Sequence, residues 1–302
     1  MRTARRLPGG WRIAAAGIGL VAVMPLVALV VEAAGGSGGM WAHLARHVLP
    51  QAGWNTLLLL AGVGVIVGVV GTGTAWLVTA FEFPGRRTMA WALLLPLAVP
   101  TYIVAYVYLD LLHPLGPLHG GLRAVLGIDD PRDLRLPDAR SLAGCIVLLG
   151  FVLYPYVYLT TRAMFMTQAG GLLIAPRSLG TPAQALFHRV ALPLARPAIA
   201  VGMVLALLET LNDIGASEFL GVQTLTVSVY TTWISRSDLA GAAQIALGML
   251  VLVLALIALE RYGRRRQRYP TSRRPQPMQA TRLRGIKPLA ALVATLLPVT
   301  IG

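Results

Sequence analysis

Apolar residues gather into six long stretches, at residues 13–31, 56–78, 89–112, 142–159, 198–220 and 242–259, with polar or glycine- and proline-rich intervals between them. Each stretch holds about 18–25 residues, enough to cross a hydrocarbon core of about 30 Å as a helix. Lipid offers backbone N–H and C=O groups no partner, so such runs must be helical. The pattern predicts an all-α membrane protein with six transmembrane helices. A seventh apolar run, 288–302, stops after fifteen residues and is too short to span comfortably; it reads as an incomplete helix, and the chain as the front part of a longer protein. The first stretch is too long for the apolar region of a signal peptide and carries no evident cleavage site, so it is expected to stay.

The intervals fix the expected orientation. With the N-terminus in the cytoplasm and the spans alternating, the inner segments carry twenty of the 26 Lys and Arg residues and the outer ones six, a strong positive-inside bias. The interval 161–197 then lies inside. Residues 1–53 read as a tail, first span and outer connection, and 54–260 as the core. Residues 261–287 read as a basic cytoplasmic linker rich in Pro, Gln and Arg, with no apolar period and a flexible character. The Phe83-Pro-Gly-Arg-Arg87 turn is expected to be tight, and 113–140 to be a solvated outer loop.

Composition agrees. The chain is 56% hydrophobic and 13% charged, where a soluble domain has about a quarter of its residues charged. The net charge of +14 follows the topology and gives no reason to invoke nucleic acid. One cysteine, Cys145, excludes a disulfide framework. A phosphate-binding loop needs Gly, four residues, then Gly-Lys-Ser/Thr, but the sole lysine, Lys287, stands between Ile286 and Pro288. ATP hydrolysis by that route is therefore expected of a partner. No catalytic arrangement of Ser-His-Asp, paired carboxylates or HExxH type is present, and no cofactor is expected on this chain. His43 and His47 have the i, i+4 spacing of some metal ligands, yet no acid or cysteine supports them, and no metal site is expected.

The longest interval, Ile174-Ala-Pro-Arg-Ser-Leu-Gly-Thr-Pro-Ala-Gln-Ala-Leu-Phe-His-Arg-Val-Ala-Leu-Pro193, is the most informative. It resembles the "EAA" loop of ABC-transporter permeases, whose pattern is Glu-Ala-Ala, three residues, Gly, nine residues, then Ile-x-Leu-Pro. Ala175, Gly180, Leu192 and Pro193 fall in register and Val190 stands for Ile, while Ile174 replaces the Glu and Pro176 the second Ala. The resemblance implies a type I ABC importer permease half, with residues 54–260 as the permease core, 161–197 as an ATPase-docking loop, 261–287 as a tether and 288–302 as the start of a second half. Docking would involve Ala175, Arg177, Gly180, Pro182, Gln184, Leu186, Phe187, Leu192 and Pro193. In that reading Ala183, Ala185, Leu186 and Phe187 are exposed to fill a groove on the ATPase, Gly180 permits a sharp turn and Pro193 suits the start of the fifth span. The competing reading is an amphipathic helix on the membrane surface.

Other candidates lie in the spans. Glu209 and Asp213 are four apart, on one helix face, and a mid-membrane carboxylate faces a cavity or a partner. Glu209-Thr-Leu-Asn-Asp-Ile-Gly215, followed by Glu218-Phe-Leu-Gly221, resembles the iron(III)-type branch of these permeases. Glu209, Asn212 and Asp213 are thus candidates for a translocation path or gate, or for an internal packing pair. Pro96 and Pro100 should kink the third span, as pathway or hinge or as local packing. Asn55 reads as a helix cap, and Gly64 and Gly68 as a small-residue packing face.

The resemblance implies alternating access in the bacterial cytoplasmic (inner) membrane. The partners would be ABC ATPase subunits carrying ATP and Mg, a periplasmic or extracellular substrate-binding protein, a second permease half or a second copy, and membrane lipids. Iron(III) is the substrate implied; thiamine, polyamine or another small solute is the alternative. Two other classes remain open: an ion-coupled secondary transporter using Glu209 and Asp213, and a membrane-embedded enzyme.

Overall fold

The computed structural model describes residues 9–37, 39–128, 130, 133–134, 138–167, 183–264 and 280–302. It is built from helices: α1 (Gly9–Ala34), α2 (Leu49–Ala80, reached through Met40–His43 and a π-turn, Leu44–Val48), α3 (Arg86–Ala92), α4 (Thr101–Leu111), α5 (Pro117–Leu126) and α6 (Leu142–Thr167). There follow α7 (Leu192–Asn212, continuous with Ala183–Leu186 and the π-turn Phe187–Ala191), α8 (Gly215–Phe219), α9 (Leu225–Ile234), α10 (Leu239–Arg264) and α11 (Lys287–Ile301). Among the described residues the only strands are β1 (Phe81–Glu82) and β2 (Thr281–Arg282), paired in parallel.

Five helices are long and apolar enough to cross a membrane, and α3 with α4 form a sixth candidate bent by 93°. The bend has a local cause. A 3-10 turn spans Leu95–Ala98, and Val99 is extended (ψ 128°) before Pro100, as crowding by the proline ring requires. The prolines expected to kink the third span in fact break it.

The α2–α6 seam settles whether that broken pair is one crossing. Ideal Cβ atoms added at Gly62, Gly150 and Gly71 would lie 2.7 Å from Ile146 Cγ2, 2.8 Å from Ile66 Cβ and 2.7 Å from Val157 Cβ. Small residues on one helix thus receive branched ones from the other, the close packing on which helices in lipid depend. Along the seam 62 meets 146, 66 meets 150 and 71 meets 157, so the two helices run parallel. The chain must recross the bundle between them, which makes α3 and α4 one crossing and brings the candidate crossings among the described residues to six. Helix α7 packs against both α2 and α6: a Cβ at Gly202 would lie 2.7 Å from Val157 Cα and 2.8 Å from the Tyr156 carbonyl oxygen. Gly202→Val is therefore expected to destabilise the bundle by about 1–3 kcal/mol or more, read as a lower midpoint of thermal aggregation in detergent than Gly248→Val, where a Cβ meets nothing within 4 Å.

The sequence-based expectation fails at the end of the fifth span and gains detail in two connections. The fifth span ends at Asn212, and Asp213 is extended (ψ 114°), so Asp213 does not share a helical face with Glu209. The outer loop contains α5, closed by Gly127 in the left-handed region (φ 68°). The linker is not irregular throughout: β2 pairs Thr281 with Phe81 and Arg282 with Glu82, and the Arg282 Nε lies 3.5 Å from a Glu82 carboxylate oxygen. This pairing delivers α11 to a position against α2, α3 and α6, with the Tyr108 hydroxyl donating to the Ile301 carbonyl. Residues 265–279 lie outside the described part.

Candidate coupling segment and helix-break junction

The Arg-rich end of the bundle turns on Phe83–Arg86. The Arg86 N–H donates to the Phe83 carbonyl at 3.2 Å and Gly85 has φ 75°, ψ 2°, the third position of a type II turn, which requires glycine or asparagine. The Arg86 Nε donates to the Val78 carbonyl at 2.6 Å, closing the C-terminal end of α2.

Beside this turn the segment 183–191, the candidate coupling segment within the expected docking loop, joins the bundle. Ala175, Arg177, Gly180 and Pro182 lie outside the described residues; Gln184 falls in the helical turn Ala183–Leu186. Leu186 and Phe187 do not present themselves to a partner as expected. Leu186 is 1% exposed, and the Phe187 ring packs on Trp76, centroids 5.2 Å apart. Trp76 also meets Phe165 at 5.5 Å and Phe81 at 6.2 Å, both edge-on. An aromatic cluster thus ties the segment to α2 and α6, because a large apolar side chain buries better in the preformed Trp76–Phe165 corner than in water. Leu192 begins α7 and Pro193 follows at once on the π-turn Phe187–Ala191, where helical bonding has already left the regular i to i−4 pattern.

From Phe187 to Asn212 the helix runs unbroken for 26 residues, about 39 Å at 1.5 Å per residue. Its far end is a junction. The Asp213 carboxylate accepts the N–H groups of Ala216 at 2.9 Å and Ser217 at 3.3 Å, capping α8. It also accepts the Thr101 hydroxyl, and Thr101 is the first residue of α4, directly after Pro100. Two broken helices are therefore tied at one carboxylate. The fit is close: a Cβ at Gly215 would lie 2.9 Å from Tyr102 Cβ.

Of the path candidates, Pro100 and Asp213 come together here. Pro96 is buried in the 3-10 turn. Glu209 is exposed on α7 in the single chain and accepts the Tyr156 hydroxyl at 3.3 Å. Asn212 instead lines an apolar groove with Leu26, Trp233 and Met249. Asn55 is not a helix cap: it lies inside α2 and its Nδ2 donates to the Gln223 carbonyl at 3.0 Å, while the Leu225 N–H donates to the Thr56 hydroxyl at 2.9 Å. Gly64 and Gly68 face Met203 of α7. Thr101, Trp76 and Tyr156 were missed because nothing local marks them. The His43 and His47 rings lie 5.1 Å apart, and among the described residues no group of three or more His, Cys, Asp or Glu gathers as for a metal.

Residues 64–269 match the family described as binding-protein-dependent transport system inner membrane component. The chain belongs to this family. As an ABC permease subunit of that kind it is a transport component of the inner membrane. It is 26% identical over 261 residues to the probable molybdenum ABC transporter permease protein of Haloferax volcanii, covering 84% of this chain and 91% of that one. To the sulfate transport system permease protein CysW of Escherichia coli it is 30% identical over 198 residues, 65% of each chain. The fold superposes on a chain of the crystal structure of a bacterial alginate ABC transporter in complex with an alginate pentasaccharide-bound periplasmic protein. The TM-score is 0.69 at 16% identity, over 85% of this chain and 94% of that one. These findings agree with the permease fold and transport class expected from the sequence.

Proposed function

We propose that this chain forms one half of the membrane pathway of an ATP-driven importer, with its N-terminus in the cytoplasm. A substrate-binding protein would deliver solute to the outer face, and ATPase subunits carrying ATP and Mg would dock at the segment 161–197. The observation that carries the reading is the unbroken helix from Phe187 to Asn212, clamped at one end to Trp76 and ending beside the Asp213 junction with α4. A push on the segment is thereby delivered lengthwise to two helix breaks. Only a contact that differs between inward- and outward-open states can shift that equilibrium, and a rigid rod ending at a break supplies one.

A second permease half, or a second copy, would complete the pathway. Glu209 supports this, since an exposed carboxylate in a spanning helix is costly against lipid and is satisfied by a water-filled path. For the solute, a small oxyanion is favoured by the molybdenum and sulfate relatives. Iron(III) is the second reading, carried by the Glu209–Gly215 and Glu218–Gly221 resemblance alone. The test is uptake into proteoliposomes holding the chain with its genomic-neighbour ATPase and binding protein. ATP inside is expected to drive accumulation of molybdate or sulfate over iron(III). Accumulation driven by a proton or sodium gradient without ATP would overturn the reading in favour of a secondary transporter.

A further inference from the structure

Where α2 ends, α3 begins and α6 nears its end, three guanidinium groups share one cavity of about 340 Å³: Arg86, Arg87 and Arg162. Among the described residues its wall contains no carboxylate. Thr79, whose hydroxyl already donates to the Ala75 carbonyl at 2.6 Å, also lines it, and the rest of the wall, from Val78, Ala90 and Met166, is apolar. Glu82 lines an adjoining cavity that Arg86 and Arg87 also reach, and it is paired there with Arg282.

Arg86 and Arg162 are held in place, the first by its bond to the Val78 carbonyl, while Arg87 is exposed at the rim. Tyr158 donates its hydroxyl to the Ala90 carbonyl at 2.9 Å, pinning α3 to α6, and the Arg162 guanidinium sits 5.9 Å from the centre of the Tyr158 ring. The Arg162 Nε is shielded from solvent with no hydrogen-bond partner among the described residues. Like charges brought together beside an apolar wall repel one another, and a shielded donor without an acceptor is unfavourable. One anion relieves both.

We propose that this cavity binds a tetrahedral oxyanion of the phosphate class, held by the forked guanidinium donors of Arg87 and Arg162. Planar arginine forks match phosphate oxygens in pairs, and the volume lies at the low end of ligand pockets. The anion has two possible sources, the phosphodiester of an anionic lipid headgroup or a free oxyanion, and the site serves either whichever solute is carried. With a lipid, the apolar wall of Val78, Ala90 and Met166 takes the glycerol and upper chain.

The test uses the full chain purified in detergent, with thermal unfolding and native mass spectrometry as readouts. One arm adds phosphatidylglycerol against phosphatidylcholine; the other adds sodium phosphate or sulfate against chloride at equal ionic strength. Wild type is expected to gain thermal stability and retain one anion, and Arg87→Gln/Arg162→Gln to lose about tenfold in affinity. Arg87→Lys/Arg162→Lys, which keeps the charge, is expected to fold and bind at intermediate strength. Arg236→Gln, remote from the cavity, should bind as wild type. Response to phosphatidylglycerol alone assigns a lipid; response to the free ions assigns a soluble oxyanion. No response beyond chloride and phosphatidylcholine, or equal weakening by Arg236→Gln, overturns the proposal. So does a double glutamine variant that binds both probes normally and loses only ATPase association, which would give the arginines to that partner.

Discussion

Trp76→Ala is expected to cut the solute carried per ATP hydrolysed by about tenfold or more, while the protein stays inserted and associated. Trp76 is the shared contact of Phe81 at the end of α2, Phe165 on α6 and Phe187 on the coupling segment. Truncation leaves a void where three rings met, and large-to-small changes of this kind cost on the order of 3 kcal/mol. A loss of 1.4 kcal/mol in the contact that discriminates two states already shifts their ratio tenfold. Part of the lost energy falls on the α2–α6 contact through Phe165, but the Gly62, Gly71 and Gly150 seam remains while the segment loses its ring contact with the bundle, so unproductive hydrolysis is the expected result. Trp76→Phe should recover part of the coupling. The measurement is the ratio of uptake to hydrolysis in proteoliposomes; an unchanged ratio for the alanine variant means that the cluster transmits nothing.

The second large effect is expected at Asp213. Asp213→Ala removes the acceptor for two N–H groups and one hydroxyl, and hydrogen bonds to charged groups are worth about 1.5–3 kcal/mol each when one partner is deleted. The variant should melt several degrees lower and transport poorly. Asp213→Asn, which keeps a capping oxygen and loses the charge, should fall between. Thr101→Val should act in the same direction, and the double variant Thr101→Val/Asp213→Ala should be less damaging than the sum of the singles, as expected of groups in one network. Full additivity would show that the two helix breaks are not joined through this carboxylate.

The spans were legible in the sequence because lipid imposes so strict a rule: runs at 56–78 and 142–159 fall inside α2 and α6. The turn at Phe83–Arg86 was legible because only a residue free to take φ 75° fits it. Hydropathy could not show that the third and fifth spans break, because an extended residue in a protein interior is as apolar on average as a helical one. Pro96 and Pro100 marked the first break, but Asp213 resembles a helical residue until Thr101 and the N–H groups of α8 are brought to it by the fold. The direction of Leu186 and Phe187 was hidden for a similar reason. An apolar residue on a short helix suits a partner's groove or the protein's own core equally well, and the choice is made by Trp76, more than a hundred residues earlier in the chain.

The central claim is that work enters this bundle from another polypeptide, through the segment ahead of α7. The most direct test places a single thiol there, Gln184→Cys with the native buried thiol removed by Cys145→Ala, and treats the assembled complex with a short bifunctional thiol cross-linker. The claim predicts an adduct with the ATPase subunit, a change in its yield on adding ATP, and loss of uptake once the link is made. Labelling of the same thiol in intact cells by a membrane-impermeant reagent from outside would contradict it.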